Sequence, residues 1–101
     1  MLTVYKYEVP LEEDFAIALP AGARILDCQA QVVHVAERSK AHGLDRPMLW
    51  ALVDPDAELV ERRFYVASTG GRIEHGAEKL QHAGTFQLHD GQLVFHLFEV
   101  L

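Results

Sequence analysis

Residues 84–98 read GTFQLHDGQLVFHLF. Two alternating runs flank Asp90-Gly91, and Asp-Gly in that setting is the strongest short-range signal for a β-hairpin. A two-residue turn there sets His89 opposite Gln92, Phe86 opposite Phe95 and Thr85 opposite His96. Phe86, Leu88, Leu93, Phe95 and Leu97 then share one face, which is expected to be core. Thr85, Gln87, His89, Gln92 and His96 share the other face. A longer turn would change this register.

Upstream lies Leu59–Gly76, LVERRFYVASTGGRIEHG. It opens as a strand over 59–68, with Phe64 and Val66 pointing one way and Glu61, Arg63 and Tyr65 the other. Tyr65 is therefore expected to present an exposed ring. Arg62 and Arg63 fall on opposite faces, so one of them sits toward the core or an interface and needs a partner such as Glu61, Asp54 or a ligand. The strand runs into Ser68-Thr69-Gly70-Gly71-Arg72 and then loses regularity. Residues 69–83 read as an irregular loop with a helical turn inside Ala77–His82. A loop that long in a small domain is often functional, or is ordered by a neighbouring subunit.

The N-terminal half continues the β pattern. Residues 2–9 form a strand with Thr3, Tyr5, Tyr7 and Val9 on one face, closed by Pro10. A short strand over 15–19 ends at the turn Pro20-Ala21-Gly22-Ala23. The longest strand covers 24–35, with Leu26, Cys28, Ala30 and Val32 apolar against Asp27, Gln29 and Gln31. Residues 36–46 read as a polar connection with room for a short helical turn. Residues 47–53 form a strand in which Trp50 is expected to anchor the core, and Asp54-Pro55-Asp56 is a turn. The sum is about seven mostly antiparallel strands in one all-β domain over residues 1–101, a sandwich or a small barrel.

Composition bounds the function. The chain has 101 residues, half of them hydrophobic, and a formal net charge of −6. That charge argues against a nucleic-acid polymer, whose binding depends on clustered cations. A small anion held by a few local donors remains compatible, and six Arg against three Lys fit bidentate recognition. The single cysteine excludes an intrachain disulfide and fits a reducing cytoplasm. Neither an apolar leader nor a membrane-length run is present, so no membrane partner is expected.

Lys6-Tyr7-Glu8, Pro20-Ala21-Gly22-Ala23-Arg24-Ile25-Leu26, Trp50–Pro55 (WALVDP), Arg63-Phe64, Thr69-Gly70, Gly84-Thr85-Phe86 and His96-Leu97-Phe98-Glu99 form a pattern over nearly the whole chain. It resembles a family of small phage and prophage proteins with no assigned activity. The sequence departs from that family at Ser68, where a Gly is usual, and at Gly71-Arg72, which replace a common His-Pro. The resemblance implies a phage context, hence the cytoplasm of a bacterial host, and a small β-fold. It carries no catalytic assignment.

Chemistry-bearing groups are sparse. The Ser68–Arg72 segment could form a concave nest of backbone N–H groups, with the Ser68 and Thr69 hydroxyls and the Arg72 fork as further donors. The GxxxxGK[ST] spacing of a P-loop is absent, and the ordinary alternative is a glycine turn with no ligand. His75, His82, His89 and His96 recur every seven residues, but intervening glycines exclude one continuous helix, and no metal or cofactor is expected. Cys28 falls on an apolar face and reads as a buried small hydrophobe rather than a thiolate. Ser39 and Ser68 lack a nucleophile-elbow context. The apolar ending LVFHLFEVL predicts pairing with another subunit, hence a homo-oligomer.

The expected ligand site comprises Arg63, Tyr65, Ser68, Thr69, Gly70, Gly71, Arg72, Thr85 and His96. The leading expectation is a non-enzymatic phage protein that binds a small anionic or nucleotide-like molecule, as a sponge for a host immune signal. One alternative is a structural or interaction module, such as a virion accessory or an inhibitor of a host protein. Another is a small His-dependent hydrolase.

Overall fold

The computed structural model describes residues 1–34 and 43–101. Seven strands follow in order: β1 (Thr3–Glu8), β2 (Asp14–Pro20), β3 (Arg24–His34), β4 (Gly43–Val53), β5 (Leu59–Ser68), β6 (Leu80–Leu88) and β7 (Leu93–Val100). They form two antiparallel sheets, ordered β1-β4-β3 and β2-β5-β7-β6. The sheets face each other as a sandwich and do not close into a barrel. Ser39 and the helical turn expected near 36–46 lie outside the described residues. Residues 43–46, expected in that connection, instead lengthen β4.

The Asp90-Gly91 hairpin holds its expected register, with Phe86 opposite Phe95 and Thr85 opposite His96. Asp90 and Gly91 both have positive φ, and the Gln92 N–H donates to the His89 carbonyl, as a primed turn requires. Phe86, Leu88 and Leu97 are buried, and Phe95 packs half-buried against them. Leu93 is 43 % exposed. It lies at the hairpin end of β7, and the expectation that it is core fails.

The core is a single layer between the sheets. Phe64 stacks on Phe15 at 5.7 Å between ring centroids, and Phe86 on Phe95 at 5.6 Å. Val9, Leu19, Cys28, Leu49, Ala51 and Val53 complete it. The principal extents are 41 × 37 × 17 Å and the radius of gyration is 14.7 Å. A typical domain of this length has about 13 Å, so the fold is flat and leaves much sheet face and edge in solvent. Trp50 pairs with Lys6 and Asp27 on the outer face of its sheet and is half-buried. It does not anchor the core, because the inward positions of β4 belong to Leu49, Ala51 and Val53.

Two bulges reset faces that strict alternation would fix. One falls between Ile25 and Asp27, leaving Leu26 49 % exposed, while Ile25 and Cys28 both pack on the core. The other falls between His82 and Gly84. There the backbone of β6 crosses β3 so closely that a Cβ on Gly84 would stand 2.6 Å from the Cys28 Cβ.

Topology explains the irregular loop. β5 and β6 both run antiparallel to β7, which lies between them, so they are parallel to each other. The connection must return along the length of β5. Residues 69–79 do so, ending in a 3₁₀ turn at Ala77–Lys79, and β6 begins at Leu80 rather than beyond residue 83. A ten-residue strand spans roughly 30 Å. Eleven connecting residues reach at most about 40 Å, so the strap has little slack.

β7 is an interior strand, flanked by β5 and β6. Its backbone groups are therefore already engaged within the chain, so the C-terminal strand is not one of the open edges. The open edges of the two sheets are β1, β3, β2 and β6. Among the described residues no helix is long and apolar enough to cross a membrane.

Candidate functional site

Three of the expected ligand residues converge on the outer face of the four-stranded sheet. The Thr69 Oγ1 lies 2.7 Å from His96 Nε2, and His96 Nδ1 lies 3.1 Å from Thr85 Oγ1. His82, absent from the expected set, joins them with its Nε2 3.0 Å from Thr85 Oγ1. The register produces this row: Ala67, His96 and Thr85 are neighbours across β5, β7 and β6, and His82 follows Phe98 in the adjacent row. His82 also packs edge-on against Phe98 at 5.6 Å.

A hydroxyl carries one proton, so directions along the row are coupled. Thr69 Oγ1 also lies 3.5 Å from the Val94 carbonyl, to which it can only donate. With that bond made, His96 Nε2–H donates to Thr69, Thr85 O–H donates to His96 Nδ1, and His82 Nε2–H donates to Thr85. His96 and His82 then each carry a proton on Nε2, an assignment made from bond directions.

The strap treats the other expected residues differently. Tyr65 is only 2 % exposed, because the strap crosses over its ring. Its hydroxyl donates to the Arg72 carbonyl at 3.2 Å, and His75 packs edge-on against it at 4.9 Å. Burial first, then the carboxylates of Glu13, Asp14 and Glu74, raise the Tyr65 phenol above its ordinary value. The expected exposed ring is thus a buried pin for the strap. His75 Nε2 approaches Asp14 at 3.7 Å, and its buried Nδ1 has no hydrogen-bond partner among the described residues.

The Ser68–Arg72 nest is largely self-satisfied. The Thr69 N–H donates to the Val94 carbonyl and the Gly71 N–H to the Ser68 carbonyl, with Gly70 at positive φ in the turn. Those two donors are unavailable to an anion. Ser68 lines a separate depression with Leu11, Glu12, Glu13, Val66 and Phe95, where two carboxylates oppose anion binding. Arg72 points into solvent, its side chain 91 % exposed, with Glu74 at 3.8 Å. Arg63 is exposed on the outer face opposite Ala16 and Val100.

Another concavity lies at the open seam where β3 meets β6. It has a volume of about 320 Å³ and is lined by Ala23, Arg24, Ile25, Leu26, Arg62, Gln81, His82, Ala83 and Glu99. This is the lower end of the ligand-pocket range. Arg62 is the inward arginine of the Arg62-Arg63 pair. Its partner is Glu99, engaged by Nε at 2.6 Å and by a terminal nitrogen at 2.8 Å, and it also donates to the Ala23 carbonyl. These hydrogen bonds, ahead of the simple charge attraction, hold the Arg62 guanidinium above its ordinary value against the opposing effect of burial. Among the described residues Arg24 makes no ion pair. The two bulges open the seam by displacing Leu26 and Ala83 from the ladder.

The sequence implied that one of Arg62 and Arg63 needs a partner; it is Arg62, and the partner is Glu99, 37 positions away. Cys28 fits its expected role: its thiol is fully buried and pushed up to about 12, first by burial and then by Asp27. Among the described residues no three His, Cys, Asp or Glu side chains group as metal ligands.

No curated protein and no solved structure matches the chain. A family model matches residues 1–101 in full, and the chain belongs to that family, described as Domain of unknown function (DUF7352).

Proposed function

We propose that this protein is a non-enzymatic binder of a small anionic, nucleotide-like molecule, held in the seam cleft. The observation that carries this reading is the donor set there. Arg24 offers guanidinium N–H groups that make no ion pair among the described residues, Gln81 adds an amide, and His82 lines the wall with its ring. The Arg62–Glu99 pair supplies a fixed donor and acceptor at the floor. Ile25, Leu26 and Ala83 give an apolar wall for a flat ring. His82 also hydrogen-bonds Thr85, which links the cleft wall to the Thr85–His96–Thr69 row. The resemblance to phage proteins supports a narrower reading, sequestration of a nucleotide-like host immune signal in the bacterial cytoplasm.

Thermal melting of the purified protein against a panel of cyclic and ADP-ribose-derived nucleotides tests the proposal. A rise in Tm with one of them is expected, and Arg24→Ala and His82→Ala are expected to abolish it. No shift across the panel, or a shift that both variants retain, would sink the cleft as the site. Recovery of unchanged nucleotide after denaturation marks a sponge, whereas a converted product would favour the His-dependent hydrolase. A second reading, a protein-interaction module, is favoured by one observation, the bare edge of β2.

A further inference from the structure

Three of the four open sheet edges carry a feature that discourages pairing with another chain. β1 places Lys6 at its centre, and β3 and β6 are each interrupted by a bulge. Lysines and bulges are common protections of sheet edges. β2, DFAIALP, has no lysine and no bulge, and its charged residue and its proline, Asp14 and Pro20, stand at its two ends.

Two backbone bonds fix which groups of β2 are free. The Val66 N–H donates to the Glu13 carbonyl at 2.9 Å, and the Ala21 N–H to the Glu58 carbonyl at 2.7 Å. In an antiparallel ladder every second residue turns its N–H and C=O to the same neighbour. Odd-numbered residues of β2 therefore face β5. Asp14, Ala16 and Ala18 direct their backbone groups to the open edge, and Ala16 and Ala18 are exposed with side chains too small to obstruct an approaching strand.

We propose that a second copy of this chain pairs along β2, antiparallel about a two-fold axis, merging the two four-stranded sheets into one of eight strands. The favoured register sets Ala16 opposite its own copy and Asp14 opposite the copy of Ala18. All three free donors and all three acceptors are then used, giving about six hydrogen bonds across the axis. Phe15 faces the copy of Ile17 on the core side, and both are only half-buried in one chain. A register centred on Ala18 would bring in Pro20, which has no N–H. One centred on Asp14 would oppose two carboxylates. The interface is isologous, so it closes at two copies.

Sedimentation equilibrium over a wide concentration range gives the first test. A species of twice 11.4 kDa is expected. Ala16→Pro removes an N–H that the monomer does not use, so it is expected to keep the strand circular dichroism and yield a monomer. Ala16→Lys places two ammonium groups at the axis and is also expected to be monomeric. Ala16→Cys is expected to oxidise to a covalent dimer, since opposed residues of a hydrogen-bonded pair stand about 5.5 Å apart between Cα atoms. Cys28, fully buried, does not compete. A monomer at every concentration overturns the proposal, as does a dimer that Ala16→Lys leaves intact. If Ala16→Pro fails to fold, Ala16→Lys and Ala16→Cys decide the matter. A dimeric Ala16→Cys that never cross-links rejects this edge.

Discussion

Gly84 stands against Cys28 with no room for a side chain between the strands. A Cβ at Gly84 would lie 2.6 Å from the Cys28 Cβ, 2.7 Å from its nitrogen and 2.9 Å from its oxygen. Two of these obstacles are backbone atoms and cannot rotate away. Here β3 and β6, from different sheets, are in close contact beside the seam cleft.

Gly84→Ala is therefore expected to destabilise the protein by about 2–3 kcal/mol, the upper part of the range for overpacking. Urea denaturation would show a lowered midpoint. Gly76→Ala is the control: the atoms nearest its Cβ would be those of the flexible Glu78 carboxylate. Its cost is expected to stay within about 0.5 kcal/mol, as for other surface substitutions. Equal losses at both positions would mean that close packing at Cys28 is not what Gly84 provides.

Arg62 and Glu99 form the most enclosed ion pair among the described residues, with side chains 21 % and 13 % exposed. Removing one partner of a fully buried pair costs about 3–5 kcal/mol. Here partial solvation lowers the expectation for Glu99→Ala to roughly 2 kcal/mol. A double-mutant cycle with Arg62→Met measures the coupling, and a coupling near zero would show the pair to be incidental.

The Cys28 thiol adds a pH dependence of definite sign. Its folded pKa is raised to about 12, while the unfolded chain titrates near the ordinary value of about 8.5. The stability this provides is complete below that value. It is lost as pH rises toward 12, because the unfolded state releases its proton first. The slope cannot exceed about 1.4 kcal/mol per pH unit. Denaturation midpoints at pH 7, 9 and 10 are expected to fall more steeply for the parent protein than for Cys28→Ala. The raised Tyr65 phenol acts in the same direction at higher pH, so some slope is expected to persist in the variant.

The bond directions from His82 to Val94 predict that His82 and His96 each carry a proton on Nε2. Long-range ¹H–¹⁵N spectra of the imidazoles would read this directly. Thr85→Val deletes the hub, and each ring is then expected to show a tautomer mixture, at a stability cost of about 1 kcal/mol. A pure Nδ1–H form at His82 in the parent protein would mean that the row runs in the opposite direction.

Much of the fold is a local matter and was legible residue by residue. Alternation gave β5 its bounds, Asp90-Gly91 gave the last hairpin its register, and one apolar face per strand implied a sandwich or a small barrel. The period of a strand is two, so these readings depend only on near neighbours. They failed where one extra residue enters a ladder, at Leu26 and Ala83, because a bulge is imposed by the partner strand. Trp50 and Leu93 were misplaced because a pattern names a face but not what covers it.

By itself the sequence determined the all-β class, the turns, the inert buried thiol and the split of Arg62 from Arg63. It also singled out Thr69, Thr85 and His96, whose contacts follow from register once β5, β7 and β6 are neighbours. Only the tertiary structure decided that neighbourhood. Placing β7 between β5 and β6 made them parallel and forced residues 69–79 to return as a strap, so the irregular stretch has a topological cause and Tyr65 is buried beneath it. The same arrangement joined Arg62 to Glu99 and opened the seam cleft. Strand order is a long-range choice among competing pairings, and no local pattern of hydrophobic and polar residues encodes it.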